Sequence, residues 1–383
     1  MSPLQSKLPK VGTTIFAVMS QLAAEQQAIN LGQGFPDFEG PQALKDALTR
    51  HMNGGRNQYA PMTGIPQLRQ QIALKTEALY GCAVDPDLEV TVTSGATEAL
   101  FAAIAAVVRP GDEVIVFDPC YDSYEPAIEL QGGRAVHLAL PPPDFGLPFE
   151  QLAAAISDRT RMILINSPQN PTGAALSSAD LDRLAALIAD RDIYVLSDEV
   201  YEHIIFDGRA HATVLAHPQL RERSFAISSF GKTYHITGWK IGYCIAPPAL
   251  SVEFRKVHQY LTFCSFHPAQ AALADFMAAD TQHYRDLPAF YQRKRDLFAD
   301  ALAGSRFKLL PVAGSYFQLV DYSAISDLDD LAFCRWLTTE HKVAAIPLSP
   351  FCEHGRSPGP YARLCFAKSD DTLREAARRL GGV

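Results

Sequence analysis

The sequence predicts an α/β protein with a mainly parallel sheet between helices and a second, smaller α/β domain. Three observations support this reading. A chain of 383 residues suggests roughly two or three domains at about 150 residues each. Through its middle, apolar β-rich runs alternate with helical patterns, the signature of a buried parallel sheet. Beyond about residue 280 the texture changes to long amphipathic stretches separated by short strands. With 48% hydrophobic and 20% charged residues, the chain has enough apolar surface for sizeable cores.

In chain order, one helix-like stretch, Ile15 to Gln26, precedes the Gly and Pro cluster LGQGFPDFEGP, so residues up to about 40 are expected to pack onto the C-terminal domain. Strands are expected at Leu88 to Thr93, Glu113 to Phe117, Arg161 to Ile165, Ile193 to Leu196, Phe225 to Ser228 and Gly242 to Ala246. Helical patterns start at Ala96 and span Asp180 to Ala189, and Pro141 to Pro143 mark a turn. In the last third, amphipathic stretches at Tyr284 to Leu302, Leu328 to Glu340 and Asp371 to Leu380 flank strands at Tyr316 to Val320 and Arg363 to Phe366.

Several function classes lack support. The 34 basic residues are outnumbered by 42 acidic ones, a formal charge of −8, so the counterion-release term behind nucleic-acid binding is missing. The longest apolar run, Ala99 to Val108, is far below the roughly 18 residues of a membrane span. The N-terminal residues show no secretory pattern, and seven scattered cysteines without a Cys-x-x-Cys pair fit reduced thiols in the cytoplasm. Among eleven histidines there is no His-Glu-x-x-His, and His211 and His217 have no ligand partner at short spacing, so no metal site is expected.

In open α/β sheets, ligands collect beyond the carboxyl ends of the strands. Four such places stand out. Ser94-Gly95-Ala96-Thr97 is a strand-to-helix turn that reads as a capped helix when taken alone and as a phosphate cradle in company. Asn166 to Gly173 is a loop whose two prolines fix the directions of amide side chains, which also suits a plain turn. Asp198 ends a buried strand, where it is either a helix cap or a functional carboxylate with a cationic partner. Lys232 follows a strand among small and hydroxyl residues; most lysines are solvated, but one that attacks a carbonyl needs a pocket that lowers its pKa. Pyridoxal phosphate would use all four, since it needs a lysine for its aldehyde, an acid for its pyridinium, donors for its phenolate and an anion site for its phosphate.

Through SGATEAL, NSPQNPTG, SDEVY and SSFGKTYHITGWKIGY, in that order, nearly the whole chain resembles the class I aminotransferases of the pyridoxal-phosphate fold-type I family. INLGQGFPDF, NQYAPMTGIPQLR, FDPCYDSYEP, VAAIPLSPFC and ARLCFAK are most similar to bacterial methionine aminotransferases and to the kynurenine aminotransferase/glutamine transaminase branch. The resemblance implies a large domain over 42–282 with a seven-stranded sheet, a small domain from 19–41 and 283–383, and an N-terminal arm over 1–18. It also implies that Lys232 forms the Schiff base and moves the proton, that Asp198 holds the ring nitrogen, and that Asn170 and Tyr201 donate to the phenolate while Tyr121 stacks on the ring. Phosphate contacts fall to Ala96, Thr97, Ser229, Lys240 and, from a neighbouring subunit of a homodimer, Tyr59. Many family members have arginine where Lys240 stands; lysine keeps the charge without the fork, and the kynurenine branch shares it.

For substrate, the resemblance assigns the carboxylate to Arg363, with Gly34 allowing close backbone approach. Phe16, Tyr59, Tyr121 and Phe263 or Phe266 are candidates for an apolar pocket suited to methionine or an aromatic amino acid, with a 2-oxo acid as acceptor. A carbon–sulfur β-lyase, a kynurenine or glutamine transaminase and a cofactor-binding sensor without turnover are the alternatives.

Overall fold

The strands in the middle of the chain have apolar side chains on both faces, so they cannot border solvent and must be covered twice. In the computed structural model, which describes residues 4–383, this is how they lie. The first three residues of the expected 1–18 arm fall outside the described residues. In chain order the strands are β1 (Ile29–Asn30), β2 (Val90–Thr93), β3 (Glu113–Asp118), β4 (Arg134–Ala139), β5 (Thr160–Asn166), β6 (Tyr194–Asp198), β7 (Ser224–Ser229), β8 (Gly242–Ile245), β9 (Lys308–Leu309), β10 (Phe317–Asp321), β11 (Val343–Ala344), β12 (Ile346–Pro347) and β13 (Tyr361–Cys365).

Seven of them form one sheet in the order β2-β8-β7-β6-β5-β3-β4. All neighbours run parallel except β8, which is antiparallel to both β2 and β7. Alternate side chains divide between two cores, as a pleated strand requires. Val92, Ile115, Ile163 and Val195 enter one; Val114, Met162, Leu164 and Leu196 enter the other beneath the helix Ala96–Val107. The edge strand β4 was not expected from the sequence. It carries Arg134 and His137 and is only partly buried, so it shows no apolar run.

A third core lies in the last third of the chain, around the antiparallel sheet β12-β13-β10-β9. The N-terminal segment reaches this core where Ile29 and Asn30 of β1 pair in parallel with Val343 and Ala344 of β11. The helix Ile15–Glu25 buries Met19 and Ala23 into the same cluster. Gly40 lies close to the middle of the chain, where a Cβ would come within 2.6 Å of the Tyr234 carbonyl. The expected helices are present as Ser178–Leu187, Gln282–Ala301, Asp330–Glu340 and Asp370–Leu380.

Candidate active site

The parallel strands of the large sheet end on one side, so β6 delivers Asp198 and β7 delivers Ser229 to the same edge. There the chain encloses a cavity of about 170 Å³. Ala96, Thr97, Tyr121, Asn170, Asp198, Tyr201, Ser229, Lys232 and Lys240, nine of the sequence candidates, line it.

Asp198 lies at its base, and its Oδ2 accepts a hydrogen bond from the Tyr124 hydroxyl at 2.6 Å. Burial raises the carboxyl to about 6, against the opposing pull of Tyr124 and the Val200 amide. The acid is therefore mostly ionised at neutral pH and ready for a cationic partner. Burial lowers the Lys232 ammonium to about 8, so much of this amine is neutral only slightly above neutral pH. Its Nζ donates to the Tyr316 hydroxyl at 2.9 Å and to the Gly34 carbonyl at 3.2 Å.

A cationic corner faces the start of the helix Ala96–Val107. Gly95 has φ +81°, and a Cβ there would lie 3.3 Å from Lys240 Nζ, so glycine is needed both for the turn and for the approach of this lysine. Unpaired amides of the first helical turn, the helix dipole and the Lys240 ammonium converge, the arrangement that holds a phosphate.

Arg363 comes from β13 and is fully buried. Its Nη1 donates to Asn170 Oδ1 at 2.7 Å and its Nη2 to the Gly32 carbonyl at 2.7 Å, while Nε is buried without a partner. The guanidinium rests against Phe317 at 4.0 Å, with Phe16 at 5.3 Å and Phe351 at 5.6 Å. Phe16 is thus beside Arg363, and it packs edge-on against Phe351. Gly34 is glycine because a Cβ would meet the Phe317 ring at 2.8 Å; its carbonyl faces Lys232 and Tyr316.

The pocket candidates Phe263 and Phe266, which are partly exposed, do not line the cavity, and neither does Tyr59. Tyr59 is 82% exposed and touches Phe263 edge-on at 5.3 Å. Sequence reasoning also missed several residues. Tyr124 and Tyr316 hold the two groups at the centre of the site, and Thr237 lines the cavity. Behind Tyr201, a buried Lys75 donates to Glu202 Oε1 at 2.7 Å and to the Tyr243 hydroxyl at 2.6 Å, pinning the segment that follows Asp198. The spacing of Tyr124 from Tyr121, one helical turn later, was the only local hint of any of these.

The site has the inventory that pyridoxal phosphate requires: a carboxylate at one end, an anion cradle at the other and an amine of lowered pKa between them. The comparisons agree. The family model for aminotransferase class I and II matches residues 26–380. A methionine aminotransferase of Escherichia coli is 59% identical over 98% of this chain and 97% of its own length. Human kynurenine–oxoglutarate transaminase 1 is 33% identical over 94% of this chain and 93% of that one. An Escherichia coli crystal structure described as having a methionine aminotransferase function superposes with a TM-score of 0.97 at 58% identity, covering 99% of both chains. A Mycobacterium tuberculosis N-succinyldiaminopimelate aminotransferase structure gives 0.95 at 39% identity, again over 99% of both. The chain therefore belongs to the class I and II aminotransferases, the pyridoxal-phosphate-dependent enzymes of fold type I.

Proposed function

We propose that this enzyme moves the amino group of methionine, and of other large apolar or aromatic amino acids, to a 2-oxo acid. The observation that carries the reading is Lys232, an amine of lowered pKa held between Asp198 and the cationic corner at Gly95 and Lys240. The 59% identity to a methionine aminotransferase supports the choice of donor, and the relatives' transaminase names do not favour a carbon–sulfur β-lyase.

When bound, pyridoxal phosphate supplies an aldehyde for covalent attachment and a ring that takes up the electrons of the substrate's α-carbon. The chain does the rest. Lys232 would anchor the cofactor and, when released from it, would take the α-proton on Nζ; Tyr316 and the Gly34 carbonyl limit where that nitrogen can be. Asp198, steadied by Tyr124, holds the ring nitrogen's proton. Asn170 Nδ2 and the Tyr201 hydroxyl, both lining the cavity, would donate to the phenolate oxygen, while Asn170 Oδ1 is occupied by Arg363. Ala96, Thr97, Ser229 and Lys240 take the phosphate.

Arg363 spends two of its five N–H groups on Asn170 and Gly32, so three remain for a substrate carboxylate, the buried Nε–H among them. Phe16, Phe317 and Phe351 around it exclude water and leave an apolar surface for a thioether or aromatic side chain.

The enzyme works as a homodimer in which Tyr59 of one copy reaches the phosphate of the other. Exposed aromatic side chains support this: besides Tyr59, the nearby segment presents Tyr260, Phe263 and Phe266 to solvent. The assembly divides into the arm 1–18, a large domain 42–282 and a small domain 19–41 with 283–383, a division supported by the pairing of β1 with β11. Free cysteines and the absence, among the described residues, of any helix long and apolar enough to cross a membrane support a place in the cytoplasm.

The test is spectroscopic. The holoenzyme's long-wavelength absorption band is expected to fade on adding L-methionine alone and to return on adding a 2-oxo acid. A protein with no such band after supply of pyridoxal phosphate would refute the reading.

A further inference from the structure

Asp118, Cys120 and His137 converge where β3 ends beside the edge strand β4, outside the cavity described above. Asp118 Oδ1 is 2.8 Å from His137 Nδ1 and 3.5 Å from Cys120 Sγ, and one ligand atom from each residue lies within 4.8 Å of the other two. The Asp118 and His137 side chains are only 9% and 5% exposed, and Cys120 is equally buried. These are the hard, borderline and soft donors that suit zinc. With ordinary bond lengths, a tetrahedral zinc ion keeps its sulfur and oxygen ligands about 3.5 Å apart and its nitrogen and oxygen ligands about 3.3 Å apart. The first spacing is already present, and the second needs Asp118 and His137 to part by about 0.5 Å.

A second observation concerns the other ring nitrogen of His137, the one that does not face Asp118. His137 Nε2 is buried without a hydrogen-bond partner. Glu125 Oε2 is 3.9 Å away, beyond hydrogen-bond reach. In the tautomer that carries its proton on Nδ1, facing Asp118, Nε2 is an unused lone pair. A cation on Nδ1 moves that proton to Nε2, whose N–H then has Glu125 to turn to, the outer-shell partner that metal-bound histidines use. His137, Glu125 and Cys120 also line a cavity of about 480 Å³, which gives an ion access and supplies a water for the fourth position.

We propose that Asp118, Cys120 and His137 bind one zinc-class divalent cation per chain, with a water from the adjoining cavity as fourth ligand. Charge balances: the Cys120 thiol gives its proton to solvent, and two positive charges meet one thiolate and one carboxylate, so the buried site is neutral. No motif could have revealed it, because Cys120 and His137 lie on different segments joined only by the β3 and β4 pairing. The proposal does not rest on the aminotransferase reading.

The experiment loads the purified holoenzyme with Cd²⁺, whose thiolate complex absorbs in the ultraviolet, removes unbound metal by desalting and measures cadmium by elemental analysis. One Cd²⁺ per chain with a thiolate band, both displaced by Zn²⁺, is expected. Affinity falls at least about a hundredfold in Cys120→Ser and His137→Gln, and about tenfold in Glu125→Gln. Should Cys120→Ser not fold, Zn²⁺ is expected to slow alkylation of Cys120 in the native enzyme, read by mass spectrometry. Substoichiometric metal in the native enzyme, unchanged affinity in a folded Cys120→Ser variant, or alkylation of Cys120 at the same rate with Zn²⁺ overturns the proposal.

Discussion

Lys232 Nζ donates to the Tyr316 hydroxyl across 2.9 Å, and that hydroxyl donates in turn to the Gly34 carbonyl at 2.6 Å. The N-terminal segment, the large sheet and the segment leading into β10 thus meet on one amine. A Tyr316→Phe enzyme keeps the ring packing against Tyr201 and loses the hydroxyl, and with it both the acceptor for Lys232 and the donor to Gly34. We expect kcat to fall about tenfold, the worth of one hydrogen bond to a charged group, with cofactor content unchanged. Steady-state kinetics beside an absorption spectrum checks this; full activity in Tyr316→Phe would remove Tyr316 from the site's working parts.

Lys232 itself is testable without turnover. Borohydride treatment of the holoenzyme is expected to fix the cofactor on the peptide containing Lys232, found by mass spectrometry. Lys232→Ala should carry no fixed cofactor and turn over at least roughly a thousandfold more slowly, since both the covalent anchor and the base are gone.

Asp198 couples function to instability. Its folded-state pKa of about 6 lies above the ordinary 3.8, so the stability attached to its protonated form is intact below pH 4 and is lost as pH rises through 6. At pH 7 the cofactor-free protein therefore bears the whole cost of a buried carboxylate. Asp198→Asn is expected to stabilise that form by up to about 3 kcal/mol at pH 7, with little effect near pH 3.5. In the same variant turnover should drop at least a hundredfold, because the ring nitrogen loses its anionic partner. Thermal unfolding at the two pH values decides the first half, and an unchanged midpoint at pH 7 would contradict it.

The strand ends were legible because hydrophobic alternation stops where chemistry starts. Asp198, Asn170 and Lys232 each follow a readable apolar run, and the structure places all three around one cavity. Tyr124 and Tyr316 were not legible: nothing in a local pattern tells which tyrosine will point at a carboxylate or an amine far away in the chain. The helix Pro66–Tyr80 was hidden for a related reason, since it buries Arg69, Lys75 and Thr76 and so lacks a clean apolar stripe. The edge strand Arg134–Ala139 was masked by its partial exposure, and with it the approach of His137 to Cys120.

Arg363→Lys separates charge from geometry. Lysine keeps the positive charge but cannot hold Asn170, Gly32 and a substrate carboxylate together, as the guanidinium can. We expect KM for methionine to rise about thirty- to a hundredfold, a loss of roughly 2 to 3 kcal/mol, with a smaller change in kcat. Substitution by lysine with KM unchanged would mean that the carboxylate is held elsewhere.

Tyr59 gives the sharpest test of the assembly, because in one chain it lies exposed on Phe263 and away from the cavity. If the partner's cavity is its destination, Tyr59→Phe should weaken cofactor binding about tenfold or more, the cost of losing a hydrogen bond to a phosphate. Complementation makes the point independent of that magnitude. Two defective preparations, Lys232→Ala without turnover and Tyr59→Ala with weakened cofactor binding, are dissociated, mixed, reassembled and assayed at a pyridoxal phosphate concentration that leaves Tyr59→Ala largely unloaded. In a hybrid dimer one site carries both defects and the other neither, so random mixing leaves about a quarter of all sites intact. Recovery toward that fraction is expected. Sedimentation as a fully active monomer, or no recovery from hybrids verified by mass, would place the tyrosine's role within its own chain and end the shared-site reading.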